Sequence, residues 1–183
     1  MRPTKLLNLL ARNAKRGEFR AEGDTLYLYD VIVGSDEEAD WFGGVSPQAF
    51  ARQLAGMKGT VHLRINSPGG DVFASRAMAQ AMREHDGEII AHVDGYAASA
   101  ASLIAVTASR TIMAPGSFMM IHKAWTIALG NSADFDATAR LLEKIDGSLA
   151  ETYAAKGKGS AEDYGALMAA ETWFTAQETV DQG

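Results

Sequence analysis

Over Thr60-Val61-His62-Leu63-Arg64-Ile65-Asn66 apolar and polar residues alternate, a period of two that predicts a strand with one buried face. The pattern breaks at Ser67-Pro68-Gly69-Gly70. From Asp71 to His85, Val72, Ala79, Met82 and several small residues recur at helical spacing. With the run Glu88 to Asp94 these make a strand, a turn, a helix and a second strand, which implies parallel pairing and a right-handed crossover. The same logic repeats at once: the second strand is expected to end at Asp94-Gly95, and a helix to begin near Ser99 and run through Ala108.

Thr25 to Val33, dense in β-branched and aromatic residues, predicts a first strand, and the acidic, turn-rich segment Gly34 to Gly44 a solvated loop. Ser46-Pro47 has the form of an N-cap followed by proline at the first helical position, opening a helix through about Met57 that Gly59 closes. Arg110 to Ala114 and Ser117 to Ile121 predict two short strands around Pro115-Gly116. A long helix is expected from about Ala133 to Ala155, with Phe135, Ala139, Leu142, Ile145, Leu149 and Tyr153 stepping by three or four along one face meant for burial. A helix of that length on a small domain is expected to project and to find its cover on another subunit. Ser160 caps a shorter helix through about Ala170, Glu171 to Phe174 is extended, and Thr175-Ala176-Gln177-Glu178 starts a last helix. The class is α/β: one domain over residues 24–183, preceded by a basic, loosely held arm over 1–23 with a possible amphipathic turn at Leu6 to Leu10.

Composition narrows the partners. The chain has 183 residues, long enough for one real core, and 47% apolar with 22% charged residues is ordinary for a globular domain. Twenty-three acidic against 17 basic residues give a net charge of −6, and no run of Lys or Arg follows Arg20, which disfavours a nucleic-acid groove. There is no cysteine, so thiol catalysis, thiolate metal sites and disulfides are excluded. The apolar run from Gly95 to Thr107 is too short for a bilayer, which takes about 20 residues, and Leu6 to Leu10 is too short for a secretory signal. A cytoplasmic protein is expected, without membrane contact.

The chemistry-bearing residues gather where apolar runs end. Gly95-Tyr96-Ala97-Ala98-Ser99-Ala100-Ala101 holds one hydroxyl among small neighbours at a strand-to-helix turn, where a helix N-terminus aims free N–H groups at a developing anion. Two readings stand for Ser99: a nucleophile, or a serine bonded to its own backbone in a tightly packed helix. Ser102, one turn on, is expected to be buried. Pro68-Gly69-Gly70 ends the neighbouring parallel strand and offers N–H groups without a Cβ in the way. A serine hydroxyl needs a base. Of four histidines, His62 and His92 lie inside strands and His85 at a helix end, whereas His122 follows the strand Phe118 to Ile121 directly. Alone, a histidine at a strand end reads as structural; beside Ser99 it reads as a base.

Asn66-Ser67-Pro68-Gly69-Gly70, Gly95-Tyr96-Ala97-Ala98-Ser99, Met120-Ile121-His122 and Thr175-Ala176-Gln177-Glu178 together resemble, in order and spacing, the motifs of the Clp protease proteolytic subunit family. More narrowly, Gly69-Gly70-Asp71-Val72-Phe73-Ala74, the block Val93 to Ser102 and Ala170-Glu171-Thr172-Trp173 resemble the phage branch, the Clp-like head maturation (prohead) proteases. The resemblance covers about Leu26 to the end.

That resemblance implies a Clp/crotonase-like spiral of repeated ββα units with a protruding handle helix at about 133–155. It implies Ser99 as nucleophile, His122 as general base, and the N–H groups of Gly70 and Ala100 as oxyanion hole. The family's third member, an aspartate, falls on Glu171, one methylene longer; Asp163 is another carboxylate available. No metal and no cofactor are implied. The partners implied are a polypeptide substrate, namely capsid or scaffold protein, and further copies of the chain in a homo-oligomeric ring. Lys123-Ala124 stand where the housekeeping enzymes have glutamine-proline, and the arm does not match the axial loops that dock an unfoldase, which fits an ATP-independent serine endopeptidase. Two rivals remain: a catalytically silent ring subunit or scaffold-binding module, and a crotonase-like acyl-CoA enzyme that shares the backbone oxyanion hole without needing a nucleophilic serine.

Overall fold

Val61, Leu63, Ile65 and Ser67 are buried along one face of strand β3 (Val61–Ser67) and His62, Arg64 and Asn66 lie half-buried on the other, as the alternation requires. The structure, a computed structural model, describes residues 17–183. The possible turn at Leu6 to Leu10 lies outside them. Within the span expected as an arm, Glu18–Glu22 forms strand β1, antiparallel to β2 (Thr25–Tyr29). β4 (Ile89–Ala98), β5 (Arg110–Met113), β6 (Phe118–Ile121) and β7 (Thr172–Thr175) complete a seven-stranded sheet in the order β1-β2-β3-β4-β6-β7, with β5 also paired to β4. β2, β3, β4, β5 and β6 pair in parallel, and β6 with β7 antiparallel.

The described residues also form seven helices: α1 (Asp36–Phe42), α2 (Pro47–Ala55), α3 (Val72–Glu84), α4 (Ala100–Thr107), α5 (Ser132–Ala154), α6 (Ala161–Ala169) and α7 (Ala176–Gln182). Ser46 caps α2 as expected, its side chain accepting from the Ala49 N–H. α3 buries Ala74, Ser75, Met78, Ala79 and Met82 and packs against α2 and α4. No helix among the described residues is long and apolar enough to cross a membrane.

Three expectations need correction. The solvated loop over Gly34 to Gly44 is helix α1: Ser35 accepts from the Glu38 N–H, Asp36, Glu37 and Glu38 set negative charge against the N-terminal dipole, and Gly43 ends it. The acidic composition that reads as loop is that of a helix's first turn. Second, β4 does not stop at Asp94-Gly95. Its first half pairs with β5, from Ile90↔Arg110 to Val93↔Met113, and after a register shift against β3 its second half pairs with β6, from Tyr96↔Phe118 to Ala98↔Met120. By exchanging partners the strand stays extended to Ala98 and hands the chain to α4 one residue later. Third, only the C-terminal half of the apolar stripe on α5 is buried, at Ile145, Leu149 and Tyr153; Phe135 and Ala139 are exposed.

The core lies between the buried sheet face and α2, α3 and α4. Phe50 on α2 is fully buried and stacks on Phe19 of β1, ring centroids 6.2 Å apart. Phe50→Ala is therefore expected to lower stability by about 3–5 kcal/mol, measured by urea unfolding; a loss below about 1 kcal/mol would mean that the site collapses around the cavity.

Candidate active site

The turn after β3 is built by its own backbone bonds. Ser67, fully buried, donates its hydroxyl to the Asp30 carbonyl at 2.6 Å and accepts from the Gly69 N–H at 3.2 Å. The Ile32 N–H donates to Gly69 O at 2.8 Å and the Asp71 N–H to Ile32 O at 2.9 Å. These bonds bracket Gly70 and leave its N–H without a partner among the described residues. Gly70 sits at φ 145° and Gly69 at φ 84°, and a Cβ on Gly70 would collide with the Ile32 carbonyl. A Cβ on Gly69 would lie 2.7 Å from Ala100 N, so this turn touches the one that carries Ser99.

Ser99 is the N-cap of α4 with φ 53° and ψ −124°, and its side chain makes no capping bond. A non-glycine residue held at positive φ costs about 1–3 kcal/mol and persists only where its surroundings enforce it. Here the Ser99 N–H donates to Met120 O at 2.8 Å, while the Ser99 carbonyl accepts from the Ser102 N–H at 2.9 Å and the Ser102 hydroxyl at 2.6 Å. The bent backbone frees the Ser99 Oγ, which lies 2.7 Å from His122 Nε2. The alternative of a serine bonded to its own backbone is not the observed arrangement. Ala100, first residue of α4, contributes an N–H with no intrahelical partner.

His122 leaves β6 one residue past Ile121, which pairs with Thr172 in β7, so the antiparallel register sets Glu171 across from it. Glu171 makes no hydrogen bond to His122; its Oε1 accepts from Trp173 Nε1 at 3.4 Å, and its backbone has φ 50°. Burial pushes His122 below the ordinary histidine value of 6.5, and the charges of Glu171 and then Asp146 act in the opposite direction without overcoming it. The imidazole is accordingly neutral at pH 7 and fit to accept a proton.

The other candidates lie elsewhere. His62 Nδ1 and His92 Nε2 face each other at 2.9 Å across β3 and β4, and His85 closes α3 with Nε2 at 3.1 Å from Gly59 O. Asp163 is engaged in the capping box of α6 with Ser160. Ser102 is fully buried, as expected. Among the described residues no three His, Asp or Glu side chains cluster to hold a metal ion.

Three contacts carry no sequence signal. The Ser102 hydroxyl meets Tyr153 OH at 2.8 Å, and burial pushes the Tyr153 phenol up to about 12, so it remains protonated. Asp146 Oδ1 accepts from the Ala124 N–H at 2.7 Å, and Lys123 N–H donates to Met168 O at 3.2 Å. Both Tyr153 and Asp146 reach the site from α5. Ser99 and His122 open onto a groove of about 560 Å³ whose walls include Val72, Phe73, Trp125, Leu142 and Leu149. Gly70 and Ala100 also line it.

Sequence comparison adds relatives. The family model described as Clp protease matches residues 31–183. The ATP-dependent Clp protease proteolytic subunit of Bacteroides fragilis is 30% identical over 125 residues, 67% of this chain and 60% of that protein. The proteolytic subunit 1 of Leifsonia xyli is 32% identical over 156 residues, 84% of this chain and 79% of that protein, and the subunit of Ligilactobacillus salivarius 27% over 158 residues. The match thus spans 60% of the length of the Bacteroides relative.

Proposed function

This chain belongs to the Clp protease family, and from that premise we propose that it is an ATP-independent serine endopeptidase that processes capsid or scaffold protein during phage head maturation. The observation that carries the reading is the 2.7 Å contact between Ser99 Oγ and His122 Nε2 at a backbone bend strained to expose the hydroxyl. His122 takes the hydroxyl proton as Oγ bonds to the scissile carbonyl carbon. The oxyanion that forms is received by the N–H groups of Gly70 and Ala100. The tetrahedral adduct collapses, the C–N bond breaks, and His122 gives its proton to the leaving amine. Water then repeats the sequence on the acyl-enzyme. Glu171 stabilises the transient imidazolium through its charge. An acyl-CoA enzyme of the crotonase type needs no serine–histidine pair, so that rival has less support.

The phage role rests on the resemblance of the serine block and of Ala170-Glu171-Thr172-Trp173. The homo-oligomeric ring draws support from the apolar side chains left open on and before the N-terminal half of α5, including Ile127 at 86% and Leu129 at 96% exposure. The Clp/crotonase-like spiral of ββα units is part of the same proposal.

A fluorophosphonate probe is expected to label Ser99, and Ser99→Ala to abolish labelling and to lower the rate on an unfolded protein substrate, without nucleotide, by at least about 10⁴-fold. Intact labelling of Ser99→Ala sinks the assignment, and a wild-type chain that neither reacts nor cleaves favours the silent subunit. Because neutral His122 is the active form and burial holds it low, kcat/KM should rise with pH through a midpoint below 6.5. Glu171→Gln should move that midpoint lower still, since the Glu171 charge raises it; an unmoved midpoint removes Glu171 from the site. Sedimentation of the purified chain should give a multiple of 19.5 kDa, and a monomer at all concentrations would remove the ring.

A further inference from the structure

His122 has one hydrogen bond among the described residues, to Ser99. Its orientation therefore depends on the segment that carries it past the end of β6. That segment is held on two sides by consecutive peptide groups: Lys123 N–H on the Met168 carbonyl of α6, and Ala124 N–H on the Asp146 carboxylate of α5. A bond from a backbone N–H to a carboxylate is roughly twice as strong as one between neutral groups. Asp146 is half-buried and adjoins Ile145 in the buried part of α5.

We propose that Asp146 is a positioning residue for the base: through the Ala124 N–H it anchors the segment carrying His122, and it adds its negative charge to that of Glu171 when the imidazole takes up a proton. This rests on the reading of His122 as base. Glu171, from the β7 side, and Asp146, from α5, are the charged groups acting on the imidazole. Tyr153, the titratable group of α5 that lines the groove, is neutral, and Lys123 beside the base is exposed. The same helix reaches the nucleophile, because Tyr153 OH bonds the Ser102 hydroxyl that in turn holds the Ser99 carbonyl. One helix thus grips both catalytic turns, and Asp146 is its grip on the base.

The test compares Asp146→Asn, which keeps an oxygen acceptor for Ala124 and loses the charge, with Asp146→Ala, which loses both. The imidazole C–H resonance of His122, followed by NMR against pH in the full chain, is expected to titrate at lower pH in Asp146→Asn than in wild type. Fluorophosphonate labelling of Ser99 is expected to slow about ten- to a hundredfold in Asp146→Ala, as a misplaced base demands, and to be largely restored in Asp146→Asn. A residue that only stabilised the fold would leave the His122 titration where it was. An unchanged midpoint in Asp146→Asn overturns the proposal, whatever Asp146→Ala does, including failing to fold. If the wild-type chain proves unreactive the proposed hydrolysis fails, while the NMR titration still decides whether Asp146 acts on His122.

Discussion

The site depends on the backbone of Ser99 being kept at φ 53°, a conformation its side chain disfavours. Three bonds enforce it: to Met120 O from the Ser99 N–H, and to the Ser99 carbonyl from the N–H and the hydroxyl of Ser102. Relaxing the bend into α4 would save the strain, yet break the bond to β6 and turn the hydroxyl away from His122. The partner exchange along β4 makes this possible, because its last residues pair with β6 while its first still pair with β5. His122 follows β6 directly, so one strand pairing sets the Ser99 hydroxyl and the His122 imidazole at hydrogen-bonding distance.

Electrostatics at the His122 imidazole is a contest between burial and charge. Burial disfavours the imidazolium, two carboxylates favour it, and burial wins, leaving the ring neutral but with its charged form partly compensated. That balance leaves the ring able both to take up a proton and to release it.

α5 divides into two halves with different physics. The C-terminal half is buried at Ile145, Leu149 and Tyr153 and bonded to the segments that follow Ser99 and His122. The N-terminal half, with Phe135 and Leu141 half-exposed, is left uncovered by the described residues. These exposed side chains sit on the same continuous helix as Asp146 and Tyr153.

How much was legible differs from element to element. Period-two and helical spacing announced β3, α3 and α5, and the small residues around Ser99, the Pro68-Gly69-Gly70 break and a histidine closing an apolar run announced the turns, because each is a local preference written within a few residues. The acidic segment at α1 misled, since a solvated loop and the first turn of a capped helix share one composition. Glu171 falls where the resemblance puts the third member, and the register sets it across from His122 without a hydrogen bond to it, since reach is decided by backbone and side-chain torsions that spacing does not contain. Asp146 was invisible: an acid beside an apolar stripe looks like a solvated face until a loop 22 residues away is folded against it. The sequence by itself determined which residues can do the chemistry and that two turns of a parallel sheet present them. Only the tertiary structure decided which carboxylates act on the His122 imidazole, because that choice is made by contacts between distant segments, whose energies no local pattern encodes.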